Sequence, residues 1–439
     1  MGKREKKSAI SSSVKGKKIS EPFVFLGQAF DFIDRQTVKR HLSYLILLSI
    51  ATKLLVLIAT PSVFHSFIDL FDINFYLDHG IMLIQGQLPY INYFFDYPIL
   101  IFVPILLALA PAILFQNGVA FVYSFQLLMV LCDIVTLLCV YFISLKIWDK
   151  KTAFYAGFIY ATAFSAAYFV LTKYDAFPTC IFMVALLLTV YGLKMKGYIA
   201  TAAGFFAKIF PVIALPFIIL YNSKDTSIKE EIYNSLKVFI PLIVILILPF
   251  LFFGQNILNT YFPVRTGMDY YSNTVTFTIY SWLHDVFGIG ISLDSVLTIM
   301  FVFLAASFLT LMYTVYACRQ KNSQLLLKLV LCAIVLVIFC VKVRSPQYLV
   351  WFTPLLCILA ADDLRKIILV YIVQLMAFIE FPLMFGAFYT STQYTDPALS
   401  PGWFITLIMF TLEYLALFVC LYVIVNPKEI FRQVRSVQS

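Results

Sequence analysis

Long uninterrupted apolar runs recur along this chain from Leu42 to Val425, separated by short polar segments. Hydrophobic residues make up 62% of the 439 positions and charged residues only 13%, about half the share found in a soluble domain. Such runs cross a lipid bilayer as helices, because a helix satisfies its own backbone hydrogen bonds. Continuous rather than alternating hydrophobicity argues against a membrane β-barrel. The sequence therefore predicts an all-α polytopic membrane protein.

Basic residues predict the orientation, because the cytoplasmic loops of membrane proteins collect Lys and Arg. The first 18 residues carry seven such side chains, which is typical of a tail that contacts anionic lipid. Six further basic clusters follow, at Lys146–Lys151, Lys194–Lys196, Lys224–Lys229, Arg319–Lys321, Arg365–Lys366 and Lys428–Arg435. These clusters explain the net charge of +9, which does not indicate a nucleic-acid partner. We expect both termini in the cytoplasm.

Placing all these clusters on the inner side of a cell membrane limits how the apolar runs cross it. We predict about ten full transmembrane helices, one outer-surface helix and one re-entrant helix pair. Pro98–Phe115 is predicted to lie on the outer leaflet or dip into it, since Pro104 and Pro111 interrupt the helix. Residues 198–221 are too few for two spans, and predict two half-helices that meet at Lys208–Pro211.

The same topology divides the chain into three regions. Residues 1–41 form a basic cytoplasmic tail with an interfacial segment, residues 42–425 a single membrane domain, and residues 426–439 a C-terminal cytoplasmic tail. Two outer loops belong to the membrane domain, at 65–118 and 255–290.

Several charged residues lie in or beside the predicted membrane segments, where one charge costs about 2.5–3.5 kcal/mol. They are Lys173, Asp175, Lys208, Lys342 and Arg344. The topology places them on the same face as Asp72, which predicts one outward-facing polar cavity. Cations in such a cavity suit a phosphate group. The alternative is that Lys173, Lys342 and Arg344 only extend to the membrane interface.

Four further charges, Lys53, Asp133, Glu380 and Glu413, lie within predicted spans. We interpret them as ion pairs or hydrogen-bonded contacts that hold the helix bundle together.

The segment from Phe71 to Pro98 is unusually polar for a connector beside an apolar span. Its Asp72 has two interpretations, a general base acting at the outer leaflet or the cap of a short helix, and spacing does not decide between them. Tyr90 and Tyr97 equally suit an interfacial aromatic belt.

No Walker loop, dinucleotide-binding glycine motif, zinc motif or nucleophile elbow occurs in the sequence. We therefore expect no cofactor and no metal, and the energy for any reaction must come from the substrate.

Four sequence elements together resemble the integral-membrane glycosyltransferase C superfamily. The first is Asp72 with the Gly-x-x-Pro-Tyr that ends at Tyr90 and the Tyr97-Pro98 that opens an apolar helix. Lys173–Pro178 resembles an outer-turn motif of its bacterial and archaeal polyprenol-dependent members. The remaining two are Ala207–Pro211, similar to a Lys-Ile-Tyr-Pro element, and Ser345–Trp351, similar to an element of the catalytic subunit of the first GPI-anchor mannosyltransferase.

This resemblance implies a lipid-phosphate sugar donor, typically dolichyl- or polyprenyl-phosphate mannose, and inversion at the anomeric carbon. Asp72 would deprotonate the acceptor hydroxyl at the outer face of the membrane. The departing lipid phosphate would be stabilised by Lys208, Arg344 and Lys342. Substrate contacts are assigned to Lys173, Asp175, Tyr90, Tyr97, Gln347, Tyr348 and Arg265. The expected partners are the lipid-linked donor, a glycan, glycolipid or protein acceptor, and membrane lipids.

One departure from the family pattern bears on the chemistry. The GPI-anchor enzyme carries Asp-x-Asp where this chain has Asp72-Ile73-Asn74. Asn cannot act as a base, and an Asp and Asn pair is a poorer metal site than two carboxylates. The change favours a metal-independent reaction with a single base, and the prokaryotic polyprenol-dependent group.

Two other functions fit the same residues. A transporter or flippase for a lipid-linked or anionic solute would also use cations in a central cavity, although no internal repeat supports it. A non-catalytic partner of such an enzyme is the third interpretation, which the intact Asp72 disfavours.

Overall fold

The computed structural model describes residues 35–63, 69–253, 256–261, 269–318 and 321–430. Within these ranges the chain is helical, and its only β-type pairings are isolated bridges such as that between Pro89 and Tyr93. The helices are α1 Val38–Val63, α2 Phe71–Ile84, α3 Phe102–Leu114, α4 Gly118–Ile147, α5 Lys150–Ala161, α6 Phe164–Thr172, α7 Ala176–Val190, α8 Lys194–Ala207, α9 Leu215–Asn222, α10 Ile228–Leu246, α11 Leu248–Phe253, α12 Asn256–Tyr261, α13 Val275–Tyr280, α14 Leu293–Ala317, α15 Ser323–Cys340, α16 Leu349–Ala360, α17 Leu364–Phe378 and α18 Pro401–Val425.

Six helices in the described part of the chain are long and apolar enough to cross a membrane. They are Val38–Ala59, Gly118–Ile147, Leu293–Ala317, Ser323–Cys340, Leu364–Met384 and Pro401–Ile430. A seventh span results if α5 and α6, bent by 56° at their junction, count as one broken helix. The predicted all-α polytopic fold is confirmed.

The number of full-length spans is smaller than the sequence predicts, because several apolar segments form short helices. The shorter apolar helices are Ile99–Leu114, Ala176–Val190, Phe210–Asn222 and Pro346–Ala360. By length and composition, six or seven helices of the described ranges therefore qualify, where the sequence predicts about ten.

The segment predicted as a re-entrant pair forms a hairpin made of α8 and α9. Lys194, at the start of α8, donates a hydrogen bond to the carbonyl of Asn222 at the end of α9, with 2.8 Å between the two atoms. The turn comes at Lys208, whose backbone is extended (φ −162°, ψ 147°), and Pro211 follows in a 3-10 turn. Glycine at 204 allows the two limbs to touch, since a Cβ there would lie 2.8 Å from Pro211 Cβ.

The open ends of this hairpin lie at a basic end of the molecule. Lys321, just before α15, donates to Ser223 at 3.0 Å. From there α15 runs 18 residues, about 27 Å at 1.5 Å per residue, to Cys340. Lys342 and Arg344 follow directly, so they lie at the end of the bundle opposite Lys321.

Charged pairs inside the bundle hold its helices together, as the sequence predicts. The Nζ of Lys53 lies 2.6 Å from the Oδ2 of Asp133, and the hydroxyl of Tyr160 donates to Asp133 Oδ1 at 2.6 Å. Both charged side chains are buried, and their mutual attraction offsets the cost of removing each charge from water. Lys53 and Asp133 are therefore structural, and the interpretation from sequence is confirmed.

Residues 69–117, most of the predicted outer loop, form two helices that pack against α4. With 30 residues, α4 is about 45 Å long and exceeds the roughly 30 Å hydrocarbon layer. Helices α2 and α3 pack against it and against each other. The predicted surface helix exists as a 3-10 turn, Ile99–Ile101, that continues into α3. This packing presents the first turn of α2 to a cavity.

Candidate functional site

A cavity of about 970 Å³ lies where α2, α6, the hairpin tip and the turn before α16 meet. Its charged and polar lining includes Asp69, Asp72, Asp96, Lys173, Lys208, Lys342, Arg344 and Gln347. The topology argument placed Asp72 and the cations on one face, and the structure puts them around one cavity. Asp175 lies directly behind Lys208.

Asp72 lies in the first turn of α2, and its side chain does not cap the helix. Asp69 lies just before the helix, and its Oδ1 accepts a hydrogen bond from the backbone N–H of Phe71 at 3.0 Å. The Oδ2 of Asp72 is therefore available to the cavity, 3.2 Å from the Nζ of Lys173. Burial raises the pKa of Asp72 above the ordinary aspartate value, although the charge of Lys173 opposes the shift. Of the two interpretations of Asp72, the geometry suits the base.

Lys173 lies at the end of α6 between two carboxylates. Its Nζ is 2.6 Å from Asp69 Oδ2 and 3.2 Å from Asp72 Oδ2. Burial lowers the pKa of Lys173, but the two negative charges outweigh it and the net shift is upward. Lys173 is therefore a fixed positive charge beside Asp72.

Lys208, at the hairpin tip, forms an ion pair with Asp175 inside an aromatic enclosure. The Nζ lies 2.6 Å from Asp175 Oδ1, which also accepts a hydrogen bond from Trp351 Nε1 at 2.5 Å. Four ring centroids lie 4.5–5.9 Å from the ammonium, those of Tyr97, Tyr174, Tyr348 and Trp351. Burial lowers the pKa of Lys208, and Asp175 opposes that shift.

Asp175, which the resemblance assigns to substrate contact, does not form part of the cavity wall. The residue is fully buried and does not line the cavity. Its carboxylate instead holds Lys208 and Trp351 in place, because a buried lysine needs a nearby opposite charge.

Arg344 has partners that the sequence did not predict. Its guanidinium contacts Glu380 Oε1 at 2.9 Å and Glu413 Oε1 at 2.5 Å, and donates to the Tyr414 hydroxyl at 2.9 Å. Two carboxylates already neutralise this cation, so it adds little net positive charge to the cavity that it lines. The sequence could not show this, because both partners lie far along the chain. The interpretation of Glu380 and Glu413 as structural pairs is confirmed.

Lys342 differs from the other cavity cations in its partners. Its ammonium lies 4.5 Å from the ring centroid of Tyr270, and its carbonyl accepts from the backbone N–H of Tyr271 at 3.1 Å. In the part of the chain that the structure describes, no carboxylate lies within ion-pair distance of it. Lys342 therefore offers its charge to the cavity.

The remaining predicted contacts divide into three groups. Tyr97, Gln347 and Tyr348 line the cavity. Tyr90 does not, which corrects its assignment: it is fully buried and its hydroxyl donates to the Tyr97 carbonyl at 2.5 Å. Arg265 lies outside the described residues.

Sequence reasoning missed Asp69 and the aromatic wall. Asp69 lies three residues before Asp72, just outside the polar segment that begins at Phe71. The Trp351 ring stacks against Phe210 at 4.4 Å and against Tyr348 at 3.8 Å. Phe210 and Trp351 both occur in the sequence motifs that resemble the glycosyltransferase C superfamily. Those motifs are the signal from which the aromatic wall could have been predicted.

A search for metal-binding groups covers only the described ranges of the chain. There, no group of three or more His, Cys, Asp or Glu side chains could hold a metal ion. The expectation of a metal-independent reaction stays a prediction.

No protein-family model matches the chain, and no curated protein matches it significantly. Among solved structures, the chain is similar to the oligosaccharyltransferase of Archaeoglobus fulgidus in its apo form, with 13% sequence identity and a TM-score of 0.41. The match covers 90% of this chain and 56% of the oligosaccharyltransferase chain. This chain therefore spans little more than half the length of the oligosaccharyltransferase. A likeness this distant carries no conclusion about activity.

Proposed function

We propose that this protein is an inverting glycosyltransferase of the glycosyltransferase C type. It moves a hexose, which we propose is mannose, from a polyprenyl- or dolichyl-phosphate donor to an acceptor hydroxyl at the outer face of the membrane. The observation that carries the proposal is the cavity itself, where the partly buried carboxylate of Asp72 and the ammonium of Lys342 occur in an otherwise apolar protein. The motif resemblance supports the same function.

Asp72 is the base in this proposal. It takes the proton of the acceptor hydroxyl while the hydroxyl oxygen forms a bond to the anomeric carbon. The bond from that carbon to the phosphate oxygen breaks, and its electron pair leaves with the lipid phosphate. A pKa raised by burial suits this role, because a carboxylate of higher pKa is a stronger base.

Lys342 and Lys208 stabilise the phosphate as it leaves. An ammonium has three N–H donors, and Lys208 uses one of them on Asp175. Positive charge that is fixed in place beforehand lowers the barrier, because it need not reorganise as the phosphate charge develops. Arg344 contributes indirectly, by fixing the backbone two residues after Lys342.

The apolar part of the cavity suits a prenyl chain. It is lined by Phe169, Leu297, Phe301, Phe381 and Phe385. Leu297 and Phe301 belong to α14, in which only 6% of the apolar stretch is buried inside the protein. Most of this helix therefore faces outward. A lipid chain in the bilayer therefore has an apolar route towards Lys342.

The deciding experiment replaces Asp72 by Asn and measures sugar transfer from radiolabelled polyprenyl-phosphate mannose in membranes. Loss of a general base is expected to lower the rate about 100-fold or more. Asp78→Asn is the matched control, since Asp78 is an exposed aspartate on the same helix. Wild-type rates in Asp72→Asn would overturn the assignment of the base.

A transporter or flippase is the alternative, and it makes a different prediction. It needs access from both membrane faces, whereas Asp72, Lys173 and Lys342 converge on one cavity at one end of the bundle. Counter-ion-dependent uptake by proteoliposomes, with no sugar transfer, would favour it.

A further inference from the structure

Asp69 is fixed at the edge of the cavity by contacts on both of its carboxylate oxygens. Oδ1 accepts from the backbone N–H of Phe71 at 3.0 Å, and Oδ2 lies 2.6 Å from the Nζ of Lys173. Its own N–H donates to the Tyr168 hydroxyl at 3.3 Å. The position of this carboxylate is therefore determined by α2 and α6 together.

The ammonium of Lys173 is shared unequally between two carboxylates. It lies 2.6 Å from Asp69 but 3.2 Å from Asp72. A lysine paired with Asp72 alone would stabilise its ionised form and make it a weak base. Without Lys173, two neighbouring carboxylates would repel, and one would keep its proton.

We propose that Asp69 is a positioning residue for the reaction: it draws Lys173 partly away from Asp72, so that Lys173 still keeps Asp72 ionised but leaves it a stronger proton acceptor than an undivided ion pair would. This inference rests on the proposed role of Asp72 as the base. Asp69 itself touches neither reacting atom in this scheme and acts through Lys173.

Other titratable groups also face Asp72, from each element packed around it. They are Lys173 at the end of α6, Asp69 before α2, Asp175 before α7, Lys208 at the hairpin tip, and the tyrosines Tyr76, Tyr97 and Tyr174. Asp175 and Lys208 already form their own ion pair, and burial keeps the three tyrosines neutral. Lys173 and Asp69 are thus the pair whose charges decide the behaviour of Asp72.

Helix capping by Asp69 has to be separated from its effect on Lys173. Asp69→Asn and Asp69→Ser each keep a side-chain oxygen that accepts from the Phe71 N–H, and each removes the negative charge. A purely structural role predicts that both variants behave like the wild type.

The expected result is a shift of the acid limb of the kcat/KM profile against pH. Asp72 is active when ionised, so activity is lost as pH falls through its pKa. Removing the charge of Asp69 favours ionised Asp72 and moves the limb to lower pH, by about one unit. Lys173→Gln removes the opposite charge and moves the limb to higher pH. Asp78→Asn leaves it unchanged.

A second readout does not depend on activity. The protonated carboxyl band of Asp72 is identified in pH-difference infrared spectra by its loss in Asp72→Asn, and its titration midpoint is followed in each variant. Opposite shifts in Asp69→Asn and Lys173→Gln support the proposal even if the enzyme transfers no sugar. Unchanged midpoints, or shifts in the same direction, would overturn it. Absence of transfer with opposite infrared shifts would instead overturn the proposed function.

Discussion

At the scale of single residues, the cations of the cavity differ chiefly in their partners. Lys173, Lys208 and Arg344 each face at least one carboxylate, whereas Lys342 lies over the ring of Tyr270. Surface residues show the same lysine–tyrosine contact, with Lys237 4.2 Å from the ring centroid of Tyr233. Lys342 stands out because its charge faces a cavity that also contains a carboxylate.

Lys342→Ala is expected to raise the KM for the lipid-phosphate donor about 10-fold or more, since a charge-assisted hydrogen bond contributes about 1.5–3 kcal/mol. Steady-state transfer rates at varied donor concentration measure this. Lys237→Ala removes an equivalent lysine–tyrosine contact away from the cavity and is expected to leave the KM unchanged. Equal donor KM values for Lys342→Ala and wild type would remove Lys342 from the phosphate site.

At the scale of elements, the α8–α9 hairpin depends on close contact between its limbs. A Cβ at Gly204 would lie 2.8 Å from Pro211 Cβ, closer than such atoms approach in proteins. The break between the limbs places Lys208 at the hairpin tip, beside Asp175. The packing of two short helices therefore sets the position of a charge at the site.

Gly204→Ala is expected to lower the free energy of unfolding by about 1–3 kcal/mol, because a tightly packed contact has to open. Thermal unfolding in detergent measures the change. Gly290→Ala is the control, since a Cβ there meets no atom within 4 Å and its φ lies outside the left-handed region. A melting temperature equal to that of the control would contradict the hairpin packing.

At the scale of the whole molecule, one buried network ties four parts of the chain together. Arg344, between α15 and α16, contacts Glu380 after α17, Glu413 in α18 and the backbone of Asn273 before α13. Both glutamates and the arginine are buried. Removing one partner leaves buried charges uncompensated, which is more costly than loss of an exposed pair.

Arg344→Met is expected to destabilise the protein by about 3–5 kcal/mol, as judged by its melting temperature in detergent. Lys366→Met breaks the exposed pair with Asp362 four residues earlier and is expected to change stability by no more than about 0.5 kcal/mol. If Arg344→Met instead melts normally and only weakens donor binding, Arg344 is a phosphate ligand after all.

Local sequence patterns predicted much of the fold and part of the candidate site. Hydropathy and basic clusters predicted the helical membrane bundle and the hairpin at Lys208, because both depend on residues close together in the chain. The number of apolar runs gave more full spans than there are helices of span length in the described residues. The length of a run does not show where α5 and α6 bend or where α16 ends.

The sequence by itself determined that this is a polytopic helical protein whose polar segment at Asp72 lies among several cations. Only the tertiary structure decided which charges neutralise one another. Arg344 pairs with residues 36 and 69 positions away, and Lys173 with one 104 positions away. An ion pair depends on distance in space, which chain spacing does not encode across separate helices. For that reason only the structure shows Arg344 between two glutamates, Lys342 over the ring of Tyr270, and Lys173 between Asp69 and Asp72.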